Sequence, residues 1–325
     1  MMIKIIDTTL TTIDNHLPSK DDLHNFCRLL DKVGVDAIEM SIPIYQRMEY
    51  LPEELRVKFY LRIEVQAEKL KYGGFYRYIL HHADCEIGMI SKIQINDIRE
   101  IISLRTYKNL EEVCIVGLDD LLCYNYEQEM IEIKKALPKS QILFCPENTY
   151  GCASALAVQW VVSGGNQVMT SFAGHGNKAA TEEVLLALRL AVRHKPNKEL
   201  QDLKDLTHLY SKITGEVIAK KKPIIGEDIF KVEAGIHADG IVKNPVNYEP
   251  YDPKIVGGKT EIIIGKHSGK KAILLKCTEY QIRIPEEYMV DQILLKIQEV
   301  CTMERRSLSK EEFIQLVKEV CGYEN

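Results

Sequence analysis

Long apolar runs are absent from this sequence of 325 residues. No stretch approaches the roughly 18 consecutive apolar residues that a membrane-spanning helix requires, so we expect no membrane partner. The opening segment, MMIKIIDTTL, leads directly into a strand-like pattern, and we therefore expect no signal peptide. Together these absences favour a cytoplasmic protein.

Paired cysteines and an excess of charge of one sign are also missing. The nine cysteines are scattered, odd in number and free of any C-x-x-C pair, which favours reduced thiols over a disulfide framework. The formal net charge of −5 gives no electrostatic reason to expect a nucleic acid partner. Apolar residues make up 46% and charged residues 27% of the chain, which indicates a globular rather than a disordered protein.

The sequence does contain short apolar segments that alternate with amphipathic helical patterns. In residues 21–34, for example, acidic residues open the first turn of a predicted helix and Gly34 follows its last turn. Strand, helix and strand at this spacing predict a parallel sheet with crossover helices, and the number of units indicates a TIM-type barrel. The seven strand candidates are 3–7, 36–42, 57–63, 83–90, 111–118, 141–145 and 166–172.

Seven units are one fewer than a TIM barrel has, and we place the missing or degenerate unit between residues 91 and 111. The predicted fold class is therefore α/β, with a TIM-type barrel over residues 1–200 that lacks one unit or is degenerate in it. A mainly helical C-terminal subdomain is predicted over residues 201–325, with amphipathic helices at 287–301 and 310–320.

Active sites of such barrels lie at the C-terminal ends of the strands. This rule selects Asp7, Glu39, the group Cys145–Asn148 and the turn at 173–178. Asp7 ends the first strand, where a carboxylate suits a hard cation. A turn or helix-capping role is equally consistent with its position.

The group at the end of the sixth candidate strand combines a thiol, a carboxylate and an amide. Glu147 and Asn148 could add oxygen ligands to a metal site, whereas the thiol of Cys145 suits zinc better than magnesium or manganese. In the turn at 173–178, His175 lies between two glycines and could approach a ligand closely, although a solvated loop histidine has the same pattern.

The densest polar cluster lies at residues 226–253. His237 is flanked by glycines and carboxylates, including Glu233, and a histidine held in this way suits a general acid or base. Tyr248 adds a phenol to the same segment.

Residues 265–272, GKHSGKKA, form a predicted junction between a loop and a helix. Backbone amides together with Lys266, His267 and Ser268 could hold an anion at such a helix start. A helix N-terminal cap with a basic first turn explains the same pattern, and the residues alone do not separate the two.

These last segments carry a resemblance to a known family. VEAGIHADGIVKNPVNYEPYDPKIVG at 232–257, followed by IIIGKHSGKKA at 262–272, closely resembles the C-terminal signature of the homocitrate synthase and 2-isopropylmalate synthase family. The version that looks nearest is the nitrogenase-associated homocitrate synthase. IIDTTL, GVDAIEMSIP, GHGNKAATEEVLLAL and KKPIIG also fall in the family's order. The resemblance implies a TIM barrel with a C-terminal subdomain that condenses acetyl-CoA with a 2-oxo acid, using a divalent metal.

The barrel departs from the family pattern at its metal and substrate positions. The family's seventh strand ends in F-H-x-H-N-D-x-G with two metal-binding histidines, which Cys145 and Glu147 replace here. The family begins D-T-T-L-R-D-G, so Asp7 matches a metal ligand, but Thr11 replaces the arginine that would polarise the carbonyl of the oxo acid. Asn177 matches the family's asparagine near the metal only loosely, because the last barrel turn is shortened.

The resemblance also implies roles for the C-terminal residues. His237 matches the catalytic histidine that assists enolisation of acetyl-CoA, and the subdomain of one protomer reaches over the barrel of its partner. The candidate site residues are therefore His237, Tyr248 and Glu233 for catalysis, Glu39, Lys266, His267 and Ser268 for substrate or cofactor, and Asp7, Cys145, Glu147 and Asn177 for a divalent Mg, Mn or Zn ion.

Three functions stay open at this point. The first is a homocitrate synthase-like acyltransferase that condenses acetyl-CoA with a 2-oxo acid, with 2-oxoglutarate as the preferred substrate. The second is a non-catalytic or accessory subunit that pairs with a complete family member. The third is an unrelated metal-dependent lyase or aldolase on the same scaffold, because a fold alone does not give a function. The expected assembly is a homodimer, or a heterodimer with a complete paralogue.

Overall fold

Eight parallel strands close into a barrel in the computed structural model, which describes residues 2–13, 18–81, 88–195, 198–233, 240–241 and 243–323. The pairing of the first and last strands closes the barrel, with Lys4 beside Gln167 and Asp7 beside Thr170. The strands are β1 (Lys4–Asp7), β2 (Ala37–Met40), β3 (Lys58–Arg62), β4 (Arg77–His81), β5 (Met89–Ile95), β6 (Glu112–Gly117), β7 (Gln141–Pro146) and β8 (Gln167–Thr170).

The barrel has all eight strands, so the alternative in which one unit is missing is wrong, whereas the alternative of a degenerate unit is not contradicted. The strand that sequence analysis missed is β4. The candidate at 83–90 overlaps only the first two residues of β5, and residues 82–87 lie outside the described part of the chain. β4 has only three consecutive apolar residues between Arg77 and His81, which is a weak pattern. The segment after β5 forms the 3₁₀ helix Ile98–Tyr107.

Every strand contributes to an inner core that fills the barrel. Side chains alternate between the two faces of a strand, so residues two positions from a core residue also face inward. The inner core consists of Ile6, Ala37, Tyr60, Ile79, Ile90, Cys114, Val116, Leu143, Cys145 and Met169.

The described residues of the barrel unit form seven α-helices. The first is typical of the local signals: Ser19 accepts a hydrogen bond from the N–H of Asp22, and Gly34 ends the helix with φ of 104°. The helices are α1 (Lys20–Val33), α2 (Ile42–Met48), α3 (Glu68–Lys71), α4 (Tyr126–Ala136), α5 (Ala153–Val162), α6 (Thr181–Val192) and α7 (Leu203–Thr214).

The compact unit that contains the barrel extends to Gly226. It includes α7, because α7 packs against α1. The domain division that we predicted after residue 200 therefore comes earlier in the chain than the division between compact units.

The second compact unit begins at Glu227 and is mainly helical. A short parallel pair, β9 (Lys231–Val232) and β10 (Glu261–Ile262), precedes α8 (Lys270–Glu279), α9 (Met289–Glu304) and α10 (Lys310–Cys321). These helices enclose a core of their own, formed by Ile264, Ala272, Ile273, Cys277, Val290, Ile293, Ile297, Cys301, Phe313, Leu316 and Val317.

Among the residues that the structure describes, none of the helices has the length and apolarity required to cross a membrane.

Candidate active site

Asp7, the last residue of β1, faces the helical layer rather than the barrel interior. Its neighbour Ile6 belongs to the inner core, and alternation along the strand turns Asp7 outward. The Asp7 carboxylate accepts a 2.9 Å hydrogen bond from the N–H of Thr9 and a 2.6 Å hydrogen bond from the hydroxyl of Thr181. Burial raises the pKa of Asp7, and these hydrogen bonds offset only part of that effect. The carboxylate thus joins β1 to the first residue of α6.

Cys145 faces the opposite way, into the barrel, where it shares the inner core with Cys114. Both side chains are buried, and burial raises the pKa of both thiols. Burial thus disfavours the thiolate, which is the form of cysteine that binds a metal ion.

Glu147 lies just beyond β7 at the mouth of the barrel and forms an ion pair with Lys178. The Lys178 Nζ to Glu147 Oε1 distance is 2.8 Å, and Gln94 donates a 3.2 Å hydrogen bond to Oε2. Burial disfavours the charged form of Lys178, but Cys145 and the Glu147 carboxylate more than offset this, so the pKa of Lys178 is raised. Both Glu147 oxygens are therefore occupied by protein donors.

The loop between β8 and α6 holds Lys178 in place. An isolated antiparallel bridge joins the backbones of Glu147 and Lys178. Ala173 and Asn177 both adopt left-handed backbone conformations, with φ of 58° and 60°. Such conformations cost energy for residues other than glycine and concentrate at functional sites. Asn177 is exposed, and its carbonyl accepts a 3.0 Å hydrogen bond from the N–H of Asn148.

Glu39 is buried inside the barrel and is paired with an arginine. Arg62 donates to both carboxylate oxygens, from Nε at 2.9 Å and from Nη2 at 3.2 Å. Glu39 is two residues from Ala37, and Arg62 is two residues from Tyr60, so both follow core residues on the inner face. Through these two hydrogen bonds, the positive charge of Arg62 balances the negative charge of Glu39.

Lys92 adds another positive charge to the same interior. It follows the core residue Ile90 on the inner face of β5. Its positive charge acts to lower the pKa of the thiols of both Cys114 and Cys145, against the larger effect of burial. Within the described part of the chain, Lys92 has no carboxylate at ion-pair distance. Among the described residues, the mouth and interior of the barrel thus contain the ion pairs Glu147–Lys178 and Glu39–Arg62 and a further cation, Lys92.

The predicted metal-ligand set is not brought together. Asp7 and Cys145 lie on opposite sides of the barrel wall, Glu147 is paired with Lys178, and Asn177 is exposed. Among the described residues, no group of three or more His, Cys, Asp or Glu side chains is placed to hold a metal ion. The residues at this barrel mouth therefore do not fit the divalent metal that the family resemblance implies.

Thr11, which stands where the family has an arginine, is occupied by a local contact. It belongs to the 3₁₀ helix Thr9–Thr11, is buried, and donates a 2.6 Å hydrogen bond to the carbonyl of Thr8. No positive charge is available from this position to polarise a bound carbonyl.

A partly buried network at His175 was not foreseen from the sequence. The Nδ1 atom of His175 lies 2.9 Å from the Tyr210 hydroxyl and 3.0 Å from Glu216 Oε1. Tyr210 in turn donates a 2.5 Å hydrogen bond to Glu216 Oε2, and burial raises the pKa of Tyr210. His175 is thus held by side chains and is not a solvated loop histidine. Tyr210 lies 35 residues further along the chain on α7, and Glu216 lies just after α7, so no local pattern could reveal them.

Three of the predicted C-terminal residues do meet. Glu233, Lys266 and His267 line a pocket of about 400 Å³, together with residues at the C-terminal end of α9. The N–H of His267 donates a 2.8 Å hydrogen bond to Glu233 Oε1. A Cβ at Gly265 would lie 2.5 Å from the same carboxylate oxygen, so a larger residue there would displace the Glu233 carboxylate. The remaining lining residues are Cys301, Thr302, Arg305, Arg306 and Ser307.

The other predicted C-terminal residues have separate surroundings. Ser268 is buried, and its hydroxyl accepts a 2.9 Å hydrogen bond from the N–H of Gly265, which is a structural role at the start of α8. The ring of Tyr248 lies against Gly240, where a Cβ would approach Cζ to 2.1 Å. The predicted catalytic residue His237 lies outside the described residues.

Comparison with known proteins identifies relatives of the whole chain. A family model described as "Homocitrate synthase post-HMGL domain-like" matches residues 224–305. The homocitrate synthase omega subunit of Clostridium pasteurianum is 31% identical over 338 residues, which cover 97% of this chain and 95% of that protein.

Further relatives match over part of their length. The homocitrate synthase AksA of Methanothermobacter thermautotrophicus is 30% identical over 59% of this chain and 49% of its own length. 2-Isopropylmalate synthase 2 of Caldanaerobacter subterraneus is 31% identical over 59% of this chain and 50% of its own length.

Solved structures support the fold. The hydroxymethylglutaryl-CoA lyase of Pseudomonas aeruginosa aligns with a TM-score of 0.54 at 14% identity, over 66% of this chain and 94% of that one. The barrel is therefore of the same type, and the sequence relatives carry the assignment further: this chain belongs to the homocitrate synthase and 2-isopropylmalate synthase family.

Proposed function

We propose that this chain is one subunit of a homocitrate synthase, which condenses acetyl-CoA with 2-oxoglutarate, and that it acts with a complete family member. The observation that carries the proposal is the barrel mouth, where the Glu147–Lys178 and Glu39–Arg62 ion pairs occupy the charged groups. A relative that matches over 97% of the chain is itself named as a subunit. In this proposal the partner supplies the divalent Mg, Mn or Zn ion.

The chemistry of the condensation supports a need for the partner. The reaction builds negative charge on the enolate of acetyl-CoA and on the carbonyl oxygen of the oxo acid, and both charges require stabilisation. Removal of one preorganised stabilising group typically costs about 10²–10³ in rate. Thr11 offers no charge, and the predicted metal-ligand set is not assembled, so turnover by this chain alone should be slow.

The C-terminal unit is the part that we propose to contribute to the shared reaction. It contains the basic pocket with Lys266 and His267, which suits an anionic ligand such as the phosphates of acetyl-CoA. It also contains His237 and Tyr248, to which the family resemblance gives catalytic roles. The assembly is accordingly a heterodimer with a complete paralogue rather than a homodimer.

A self-contained acyltransferase is the second candidate, and the likeness to a homocitrate synthase and a 2-isopropylmalate synthase over 59% of this chain favours it. It would require Lys178 to leave Glu147 so that Glu147 and Cys145 could reach a metal ion. The two candidates differ in what the isolated chain can do.

The test measures CoA release from acetyl-CoA by this chain alone, by a complete paralogue alone and by the mixture. 2-Oxoglutarate, 2-oxoisovalerate and pyruvate are each supplied with Mg²⁺, Mn²⁺ or Zn²⁺. We expect no release by this chain alone, a stable complex on size-exclusion chromatography, and a higher rate for the mixture with 2-oxoglutarate.

Substitution in this chain shows whether it contributes chemistry to the complex. His237→Ala should reduce the rate of the mixture by at least about 10²-fold, the scale expected for a general acid or base. His208→Ala, on the exposed face of α7, is the matched control and should leave the rate unchanged. Metal-dependent release by the isolated chain, at the rate of a complete synthase, would establish the second candidate instead.

A further inference from the structure

We infer that the ammonium group of Lys178, held by Glu147, is a fixed cation of this barrel mouth, and that the barrel takes up no divalent metal. The inference concerns this chain's own barrel, and it holds whether or not a partner subunit completes the active site. It is carried by the geometry of the ion pair, by the charges around it and by the direction of Asp7.

The position of the ammonium group is fixed by several contacts. The Lys178 side chain is 14% exposed, and its Nζ lies 2.8 Å from Glu147 Oε1. The backbone bridge between the two residues sets the distance between β7 and the following loop. Gln94 holds the second Glu147 oxygen, so the carboxylate cannot turn toward another ion without loss of both contacts.

The surrounding charges oppose a divalent cation. Arg62 already balances Glu39 through two hydrogen bonds. Lys92 and Lys178 both lie close enough to Cys145 to influence its ionisation. A metal ion that entered this space would meet two ammonium groups, and like charges in a partly buried site repel strongly.

Displacement of Lys178 would still not complete a metal site. Asp7 points away from the interior, and both of its carboxylate oxygens accept hydrogen bonds from Thr9 and Thr181. Cys145 is packed in the inner core, and Glu147 would have to exchange its ion pair for the metal. The Lys178 ammonium group already pairs with the Glu147 carboxylate, and this pairing requires none of these changes.

The first experiment is a Mn²⁺ titration of the full chain after treatment with a chelator, with free Mn²⁺ measured by electron paramagnetic resonance. Glu147→Gln is the test variant. Glu112→Gln is the matched control, because Glu112 also forms a bidentate ion pair, with Arg77, but at the N-terminal end of the barrel. We expect the wild type and both variants to have the same Mn²⁺ binding curve. One Mn²⁺ per chain that is lost in Glu147→Gln and retained in Glu112→Gln would overturn the inference.

A second measurement does not depend on the stability of a variant. Lysine acetylation of the wild-type chain, followed by mass spectrometry, reports how accessible each ammonium group is. We expect Lys178 to react at least about tenfold more slowly than the exposed Lys58, and addition of Mn²⁺ or Zn²⁺ to leave that ratio unchanged. A rise in Lys178 labelling on addition of metal would mean that the metal displaces the ammonium group, and it would overturn the inference. Neither measurement uses acetyl-CoA or a partner, so failure here is separate from failure of the proposed function.

Discussion

Glu182 is a carboxylate without any exposed surface, in the first turn of α6. Its Oε2 accepts a 2.9 Å hydrogen bond from the N–H of Ala173, the residue with left-handed backbone in the loop that carries Lys178. Its Oε1 lies 3.5 Å from Lys222 Nζ. Burial raises the pKa of Glu182 to about 7, although Lys222 lowers it in part. The group that anchors this loop therefore changes charge near neutral pH.

We expect Glu182 to make the stability of the barrel unit depend on pH. The folded state binds the proton more tightly than the unfolded state, in which the pKa is near its ordinary value of 4.5. Its favourable contribution is therefore fully present below pH 4.5 and is lost as the pH rises toward about 7. At about 1.4 kcal/mol for each pKa unit, the loss is on the order of 3 kcal/mol.

The measurement compares urea unfolding of the wild type and Glu182→Gln at several pH values from about 4.5 to about 8. The variant cannot titrate at this position. Its free energy of unfolding relative to that of the wild type should therefore increase as the pH rises. Glu183→Gln, at the adjacent and partly exposed position, provides the baseline. A difference between Glu182→Gln and the wild type that stays constant with pH would contradict the prediction.

Single residues also show where sequence analysis of the site reached its limit. The rule that barrel sites lie at strand ends found Cys145, Glu147 and Glu39, because it needs only the strand pattern. It could not find Lys178 or Arg62, since the ion pairs that occupy the mouth join residues 31 and 23 positions apart. The register of the closed barrel decides which face of a four-residue strand points inward, and the sequence does not show that register. Asp7 lies on the outward face, so its position does not support the metal role predicted for it.

At the scale of elements, strong local signals were reliable and weak ones were not. α1 has a capping serine, acidic residues in its first turn and a terminal glycine, and its prediction is confirmed. The strand candidates at 111–118 and 141–145 overlap β6 and β7 closely, because both are long and apolar. β4 was missed, since tertiary pairing with β3 and β5 stabilises it more than its own short apolar pattern indicates.

The packing of α5 on β7 gives a prediction for an element. Trp160, the only tryptophan in the chain, is buried and stacks on Phe144 of β7 at 5.0 Å between ring centroids. Gly165 lies against the indole, and a Cβ there would be 2.2 Å from Trp160 Nε1. Gly165→Ala must therefore displace the ring from a tightly packed site, and we expect a loss of about 1–3 kcal/mol in the free energy of unfolding.

Tryptophan fluorescence provides a direct check, because the emission of this chain reports on Trp160 alone. The Gly165→Ala variant should have an altered emission maximum in the folded state and a lower midpoint in urea. Gly73→Ala is the control, since a Cβ at Gly73 meets no atom within 4 Å. Unchanged emission with unchanged stability would show that the indole has more room than the structure gives it.

For the molecule as a whole, the sequence predicted the class of each part better than the boundary between them. The barrel and the mainly helical C-terminal part are both present, but the compact barrel unit runs to Gly226 because α7 packs on α1. That packing joins residues that are far apart in sequence. The sequence shows only where the alternation of strand and helix patterns ends, and the predicted boundary lies at that point. The family model that matches residues 224–305 begins close to the observed division.

Each unit has its own hydrophobic core, and this leads to a prediction for the unfolding of the whole chain. Phe313 is buried in the core of the C-terminal unit, where its ring meets that of Tyr280 at 6.0 Å. Phe313→Ala should destabilise this unit by about 3–5 kcal/mol, because the cavity cannot be refilled fully. Trp160 lies in the barrel unit, so its fluorescence follows the barrel alone, whereas far-ultraviolet circular dichroism follows both units.

We expect Phe313→Ala to produce an earlier transition by circular dichroism while the midpoint of Trp160 fluorescence stays at its wild-type value. Domains with separate cores commonly unfold as separate cooperative units, and a single free energy of unfolding then describes neither. Leu295→Ala, at a position of α9 that is 66% exposed, is the control and should change neither transition. If the fluorescence midpoint falls together with the circular dichroism signal in Phe313→Ala, the two units unfold as one, and a defect in the C-terminal unit would then also destabilise the barrel mouth that contains Lys178.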